Sequence, residues 1–444
     1  MVAGGDGFLN MGADLAGEIV EVSSLTHDGR GVARNDGKAV FIRGALPGET
    51  VRIGRRRRHR RHDEAQLTEI VTPSNDRVEP PCPHFGVCGG CRLQHMAPEA
   101  QLAAKEQRLV ETLERIEHVQ PATIWPALTG SAYGYRRRAR FGVRFVEKKG
   151  RLLVGFRETN GRYITDAREC PAMVSVARDL PAQLVDLIAG LKIMRSISQV
   201  EFAAGDDGAA LVFRVLDPPD TNDEKRLADF AREHGFSVWL QTGGVDSLRL
   251  LHGTPFLTYA LPEFDVSLNC LPTDFMQINA EVNRKLVSMA VDNLALHGGE
   301  RVLELFSGLG NFSLALARRT REVVAVEGNP VLVRRARENA EANGLDNVRP
   351  LAADLSAPTE NAAWAQGGFD AVLLDPPRSG ARELLPLLGR LMPPRIVYVS
   401  CDPATLARDA TLLCARGWRC TGAGVADMFP QTAHVESIAL FQRG

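Results

Sequence analysis

The sequence predicts an α/β protein in three parts: an N-terminal OB-like β-barrel, a mixed α+β middle and a C-terminal, Rossmann-like, doubly wound sheet. Three observations predict it. Residues 15–71 run as short alternating apolar stretches broken by glycine, as in "LAGEIVEVSSL" and "GRGVARNDGKAVFIRGAL". Residues 82–91 gather three cysteines among glycine and proline with no regular period. From about residue 271, strand-like runs and helical periods alternate, as strands joined by helical crossovers require. A chain of 444 residues also exceeds what one hydrophobic core usually organises.

Taken in order, the barrel is expected over 12–72, with "GRRRRHRRH" (54–62) as a strand end or a rim loop. The central part, 73–270, opens with the cysteine segment and an amphipathic helix at 98–118. That helix is a candidate to pack on the C-terminal domain. Two hairpins follow, "RARFGVRFVEKKGRLLVGFRE" and "ISQVEFAAGDDGAALVFRVL". The C-terminal part, 271–444, predicts helices at 277–296, 311–319, 330–342, 380–391 and 403–416. Strands are predicted at 301–306, 322–327, 347–352, 369–374 and 395–399, and a turn in 427–441 leads into a last apolar strand.

Net charge is only −1, with 44% hydrophobic and 24% charged residues, but the charge is unevenly spread. "GRRRRHRRH" holds six arginines, and "YRRRARF" (135–141) four more between aromatics. Such basic density on a neutral chain points to a polyanion, most often nucleic acid, although Arg55–Arg58 also fits a solvated loop. Phe41, Tyr133, Tyr135 and Phe141 are candidates to stack on bases or to fill the core. No apolar run reaches the length of a membrane span, and no signal pattern opens the chain, so a cytoplasmic protein is expected. Eight cysteines there suggest metal binding or catalysis rather than disulfides. No apolar stretch looks spare, and a monomer is expected.

"RVLELFSGLGNFSLALAR" (301–318) reads as strand, glycine turn and helix, with Gly308 and Gly310 allowing close backbone approach to a ligand. Glu304 lies inside the strand end, Glu327 closes the next strand and Asp354 the third. Carboxylates there suit ribose hydroxyls and an adenine amino group. The third glycine of a dinucleotide fingerprint is missing, and Glu304 would repel a pyrophosphate. A cationic, phosphate-free adenosyl ligand, S-adenosylmethionine, fits better than a purely structural turn with solvated carboxylates.

"FDAVLLDPPRSG" places Asp375 in a rigid Pro-Pro turn beside that pocket. One strand on, "RIVYVSCDPATLARD" (395–409) puts Cys401 where strand gives way to helix. A cysteine beside a methyl donor makes sense for uracil, whose C5 is a poor nucleophile until a thiolate adds to C6. The helix N-terminus after Cys401 is expected to favour that thiolate. A base must then remove the C5 proton. Glu436, charged within the strand-like "HVESIALF", is the candidate and His434 the runner-up. Cys270, Cys414 and Cys420 read as buried small hydrophobes, which is also the bland reading of Cys401.

"SCDPATLARD", "DPPRSG", "LELFSGLGNFSL", "DFMQIN" and "DMFPQTAHVES" together resemble the RNA uracil-C5 methyltransferase family, over nearly the whole chain. Within it, the members acting on 23S ribosomal RNA look nearest. The resemblance implies a SAM methyltransferase domain and a TRAM barrel, with Cys401 as nucleophile and Glu436 as base. It implies a cofactor pocket of Gln277, Phe306, Asn311, Glu327, Asp354 and Asp375. Ser307 stands where many relatives have cysteine, Gln431 where many have histidine, and Asp402 where Asn is expected.

Cys82-x5-Cys88-x2-Cys91 brings three thiols into one glycine-bearing loop, and Cys170 in "ARECPAM" is the natural fourth. Four thiolates suit a [4Fe–4S] cluster or zinc, and His84 or His95 would complete a Cys3His zinc site instead. The resemblance favours iron–sulfur, in a structural or RNA-gripping role. The expected function is 5-methyluridine formation in 23S rRNA, the target base flipping into the pocket. The alternatives are the same chemistry on a tRNA T-loop uridine, or an RNA-binding protein with a vestigial methyltransferase fold.

Overall fold

The structure, a computed structural model, describes residues 17–357 and 362–443; residues 12–16 of the expected barrel lie outside it. Among the described residues the first strands, Glu18–Leu25, Gly31–Asn35, Lys38–Ile42, Thr50–Arg58 and His62–Thr72, close a barrel. Alternation puts Val20, Val22, Val40, Ile42, Val51 and Ile53 into its core. The arginine run is a strand end: Arg56, Arg57 and Arg58 pair with Ala65, Glu64 and Asp63 of the last barrel strand.

The middle holds a six-stranded sheet that includes Arg138–Val146, Arg151–Gly155, Ile197–Ala204 and Ala209–Val215. Helix Pro98–Glu111 runs on into a π-helical turn, Thr112–Ile116. Leu109 and Leu113 are buried in one cluster with Leu303, Ile396 and Phe441 of the C-terminal sheet. The helix therefore packs on that domain and places polar side chains near its loops.

The C-terminal sheet has seven strands in the order Val348–Ala352, Glu322–Glu327, Arg301–Leu305, Ala371–Leu374, Arg395–Ser400, Glu436–Gln442, Arg419–Ala426. The first five are parallel, as expected. Glu436–Gln442 runs antiparallel to both its neighbours, Arg395–Ser400 and Arg419–Ala426, which the alternation rule alone misses. The cause is local: the link from 426 to 436 is too short for a crossover helix, so the chain must return antiparallel. The sequence pattern does not mark strand Arg419–Ala426, because Gly422 and Gly424 interrupt its apolar alternation. They make room for Trp125, whose ring would lie 2.1 Å from a Cβ at 422. No helix of the described residues is long and apolar enough to cross a membrane.

Candidate active site

Two cavities lie at the carboxyl ends of the central strands. The first, about 310 Å³, is lined by Gln277, Phe306, Asn311, Glu327 and Asp375, together with Tyr259 and Phe275. Its floor is the turn after strand Arg301–Leu305. There Phe306 takes φ 67° and Gly308 φ 56°, left-handed values that only glycine adopts freely. Phe306 is held in that conformation by its N–H donating to the Val326 carbonyl at 2.9 Å. Gly308 N–H donates to Glu327 Oε2 at 3.0 Å, which fixes that carboxylate at the cavity wall. Asn311 is oriented by Asn283 at 3.0 Å and by the Tyr259 hydroxyl at 3.2 Å.

Two of the expected carboxylates fall outside this lining. Glu304 is buried beneath the turn, accepting from the Ser313 hydroxyl, with its other oxygen unpartnered. Burial pushes it up to about 8, and the charges of Asp375 and Glu327 add to that. Asp354 is exposed; Ser356 donates to it at 2.7 Å and holds its carboxyl low. Asp354 follows strand Val348–Ala352 by two residues and does not line the cavity.

The second cavity, about 290 Å³, contains Cys401. Its walls come from every part of the chain: His27 and Asp28 of the barrel, Gly89, Gly90 and Arg92 of the cysteine loop, Arg108 of the long helix, and Arg378 and His434. The Asp375–Arg378 turn is the partition. Asp375 and Pro377 line the first cavity, Arg378 the second. Burial pushes Asp375 up to about 7. Glu436, 4% exposed, opens the neighbouring strand, and burial raises it to about 8, with Asp375 adding and Arg378 opposing.

Cys401 is not the ready thiolate that its position before a helix suggests. Burial, then the charges of Glu436 and Asp375, push it up to about 11, and Arg378 pulls the other way. The helix N-terminus is already capped, since Asp402 Oδ1 accepts from Ala404 N–H at 2.9 Å. Two carboxylates and partial burial outweigh whatever field the capped terminus supplies. His434 sits 3.4 Å from Arg378, and burial lowers its pKa, the guanidinium adding to the effect.

Several residues that hold this arrangement were not legible as functional. Arg378 lies inside "DPPRSG", and the signal was there: a cation three positions after Asp375, where a rigid turn must face both cavities. The 98–111 helix carries others. Lys105, 3% exposed, donates to Asp427 at 2.6 Å and to the Phe429 carbonyl at 3.0 Å. Gln101 and Gln431 form a reciprocal amide pair, Gln431 N–H to Gln101 Oε1 at 3.0 Å and Gln101 Nε2 to Gln431 Oε1 at 2.9 Å. Gln431 is left-handed, φ 65°, and its carbonyl accepts from Arg92 and Leu93 of the cysteine loop. Helix and cysteine loop thus both fix the segment that delivers His434 and Glu436.

Two residues of the second arginine run, Arg137 and Arg138, do not face solvent as a phosphate patch would. Arg137 is 2% exposed; its Nε donates to the Gln277 carbonyl at 2.7 Å and its guanidinium lies 4.8 Å from the Tyr259 ring centre. Arg138 donates to the Asp274 carbonyl at 2.5 Å. Both are clamps on the 271–279 segment beneath the first cavity. Tyr135 and Phe141 are core residues, whereas Phe41 and Tyr133 remain partly exposed.

Cys82, Cys88, Cys91 and Cys170 are each partly exposed, and burial raises all four thiols, Cys170 to about 11. Cys88 and Cys91 feel the charge of Cys82, and Cys170 that of Cys91, so a thiolate set here calls for a cation. Among the described residues only His59, His62 and Glu64 bring three candidate ligand atoms within 4.8 Å of one another. A tetrahedral zinc with Zn–S near 2.3 Å holds its sulfurs about 3.8 Å apart, tighter than this thiol set.

Similarity to known proteins adds an independent line. The family model described as tRNA (Uracil-5-)-methyltransferase matches residues 97–444, and a TRAM domain model matches 18–54. A relative from Alkalilimnicola ehrlichii, described as 23S rRNA (uracil(1939)-C(5))-methyltransferase RlmD, is 51% identical over 427 residues, covering 96% of each chain. One of the same description from Xanthomonas campestris pv. campestris is 50% identical, covering 95% of this chain and 96% of that one. Among solved structures, Pyrococcus abyssi tRNA (uracil-54, C5)-methyltransferase in complex with S-adenosyl-L-homocysteine superposes with a TM-score of 0.76 at 26% identity. It covers 96% of this chain and 100% of its own.

Proposed function

The chain belongs to the tRNA (uracil-5-)-methyltransferase family, and from that premise we propose that it methylates C5 of a uridine in 23S ribosomal RNA. The observation that carries the reading is the clustering of Cys401, Glu436 and Asp375 about the Asp375–Arg378 turn that divides the two cavities, near enough for both carboxylates to act on the Cys401 thiol. RNA of that class places the enzyme's work in the cytoplasm.

S-adenosylmethionine supplies, when bound, a methyl group on a cationic sulfonium. Gln277, Phe306, Asn311, Glu327 and Asp375 would hold it, with Asp354 at the adjoining strand end. Cys401 Sγ adds to uracil C6, and the electron pair displaced from the C5–C6 bond makes C5 nucleophilic. Once C5 carries the methyl group it still carries its hydrogen. Glu436 takes that proton, the C5–C6 bond becomes double again and Cys401 leaves as thiolate. Raised to about 11, Cys401 is a thiol at neutral pH, so its proton must pass to the Asp375 carboxylate as the uracil arrives, leaving Glu436 ionised for the C5 proton. It returns to Cys401 when the thiolate leaves. Glu436 and Asp375, at about 8 and about 7, exchange protons near neutrality, and Arg378 favours the charged forms of Cys401 and Glu436.

Cys82, Cys88, Cys91 and Cys170 would hold a [4Fe–4S] cluster, with structural zinc as the alternative. No electron is needed for methyl transfer, so the group fixes the loop whose Gly89, Gly90 and Arg92 wall the Cys401 cavity. Iron and acid-labile sulfide in anaerobically purified protein, both lost in Cys82→Ser, support the cluster; stoichiometric zinc without sulfide replaces it.

The decisive test is transfer of labelled methyl to unmodified 23S rRNA and to unmodified tRNA, side by side. Label in 23S rRNA that vanishes in Cys401→Ala supports substrate and nucleophile together. Label in tRNA alone selects the second reading, a tRNA uridine, which the likeness to the Pyrococcus abyssi enzyme favours. A covalent adduct with 5-fluorouridine RNA that still forms in Cys401→Ala would falsify the mechanism.

A further inference from the structure

We propose that a groove on the central domain, separate from both active-site cavities, holds the phosphate backbone of the RNA strand next to the target uridine. It rests on the RNA-methylating reading above. The groove encloses about 630 Å³ between strand Arg138–Val146, strand Ile197–Ala204 and the 156–164 segment. Arg92, Arg140, Arg144, Arg157 and Arg162 line it, against a single lining carboxylate, Glu158.

Three features give it direction. It shares Gly89, Gly90 and Arg92 with the Cys401 cavity, so one short stretch of the cysteine loop walls both. Side chains at 89 and 90 would obstruct a strand crossing it, and neither residue has one. A Cβ at Gly89 would lie 2.9 Å from the Arg157 carbonyl, the acceptor of the Gly89 N–H, so the loop is seated on the groove wall.

The charge is also available. Arg140 is committed to Glu201 at 3.4 Å. Among the described residues no carboxylate pairs with Arg92, Arg144, Arg157 or Arg162, and the last three are exposed. Arg92 also lies close enough to Arg43 of the barrel to lower that group's pKa, after burial. Positive potential therefore continues from barrel to groove across the loop. Clustered guanidiniums without partners are unfavourable unless a polyanion neutralises them. Tyr163, between two lining residues and 59% exposed, offers a ring on which an unstacked base next to the target can lie.

The test measures RNA affinity and methylation for Arg144→Ala/Arg162→Ala and for the charge-retaining Arg144→Lys/Arg162→Lys, on an RNA extending about ten nucleotides either side of the target. Because phosphate contacts act through counterion release, the alanine pair should weaken binding about tenfold and reduce the salt slope by about two. The loss should fall on KM rather than kcat, with the lysine pair largely restored. Tyr163→Ala should weaken binding about fivefold with an unchanged salt slope. Wild-type affinity and slope in the alanine pair, with methylation intact, overturn the groove and leave the enzyme reading standing. A wild-type protein that neither binds nor methylates RNA overturns both.

Discussion

The two arginine runs have nearly the same composition and opposite fates. In 54–62 the chain is a barrel strand to Arg58 and then a turn into the next strand, and Arg57, Arg58, Arg60 and Arg61 are exposed. In 135–141 it enters a central strand, and Arg137 and Arg138 turn into hydrogen-bonding clamps on 271–279. The difference lies in what faces the strand. A barrel edge offers water, whereas the central sheet lies against backbone carbonyls that need donors. Arg138 reaches two such carbonyls, of Asp274 and Pro272, while Arg137 bonds the Gln277 carbonyl through Nε and lays the rest of its planar guanidinium over Tyr259, a stacking that lysine lacks. A charge run thus reports charge and not its address.

The largest expected effect comes from cutting a clamp. Arg137→Ala strands the Gln277 carbonyl and uncovers Tyr259, and about 3 kcal/mol of stability should be lost. S-adenosylmethionine affinity, read by calorimetry, should fall as well. Arg57→Ala/Arg58→Ala should stay within about 0.5 kcal/mol of wild type. Equal shifts in the thermal midpoints of the two variants would erase the distinction.

Arg378 extends the comparison to the site, where a guanidinium neither clamps nor floats. Its positive charge opposes the upward shifts of Cys401 and Glu436. Glu436 must be ionised to accept the C5 proton, so kcat/KM should rise with pH around its value of about 8. Arg378→Met removes a cation and moves both groups further up. The acidic limb should therefore shift to higher pH by about one unit, costing about tenfold at pH 7 with partial recovery at pH 9. An unmoved limb with uniformly lower rates would give Arg378 a purely steric part.

A smaller effect belongs to the exposed run. Arg57→Ala/Arg58→Ala should reduce the salt slope of RNA binding by about two while leaving S-adenosylmethionine affinity unchanged. The finest distinction concerns two acidic strand ends. Glu327→Gln disturbs a carboxylate that accepts from Gly308 at 3.0 Å and from Asn329 at 2.8 Å, and should weaken cofactor binding about tenfold. Asp354→Asn, at an exposed residue, should change it by less than about threefold. The reverse order would place the cofactor's far end over strand Val348–Ala352.

What the sequence determined by itself is local. Apolar alternation gave the barrel, strand–helix alternation the five parallel strands, and "LELFSGLGNFSL", "DPPRSG" and "SCDPATLARD" the turns bearing chemistry, because each is set within a dozen residues by periodicity and turn residues. Tertiary structure decided the rest. It laid the 98–111 helix on the C-terminal sheet, paired Gln101 with Gln431, and buried Arg137 while exposing Arg57. It closed the sheet with an antiparallel hairpin around Trp125 and made Cys401 a thiol despite the helix beside it. Burial and charge depend on neighbours from 23 residues away, as Arg378 is from Cys401, to 330, as between Gln101 and Gln431, and no local pattern records them.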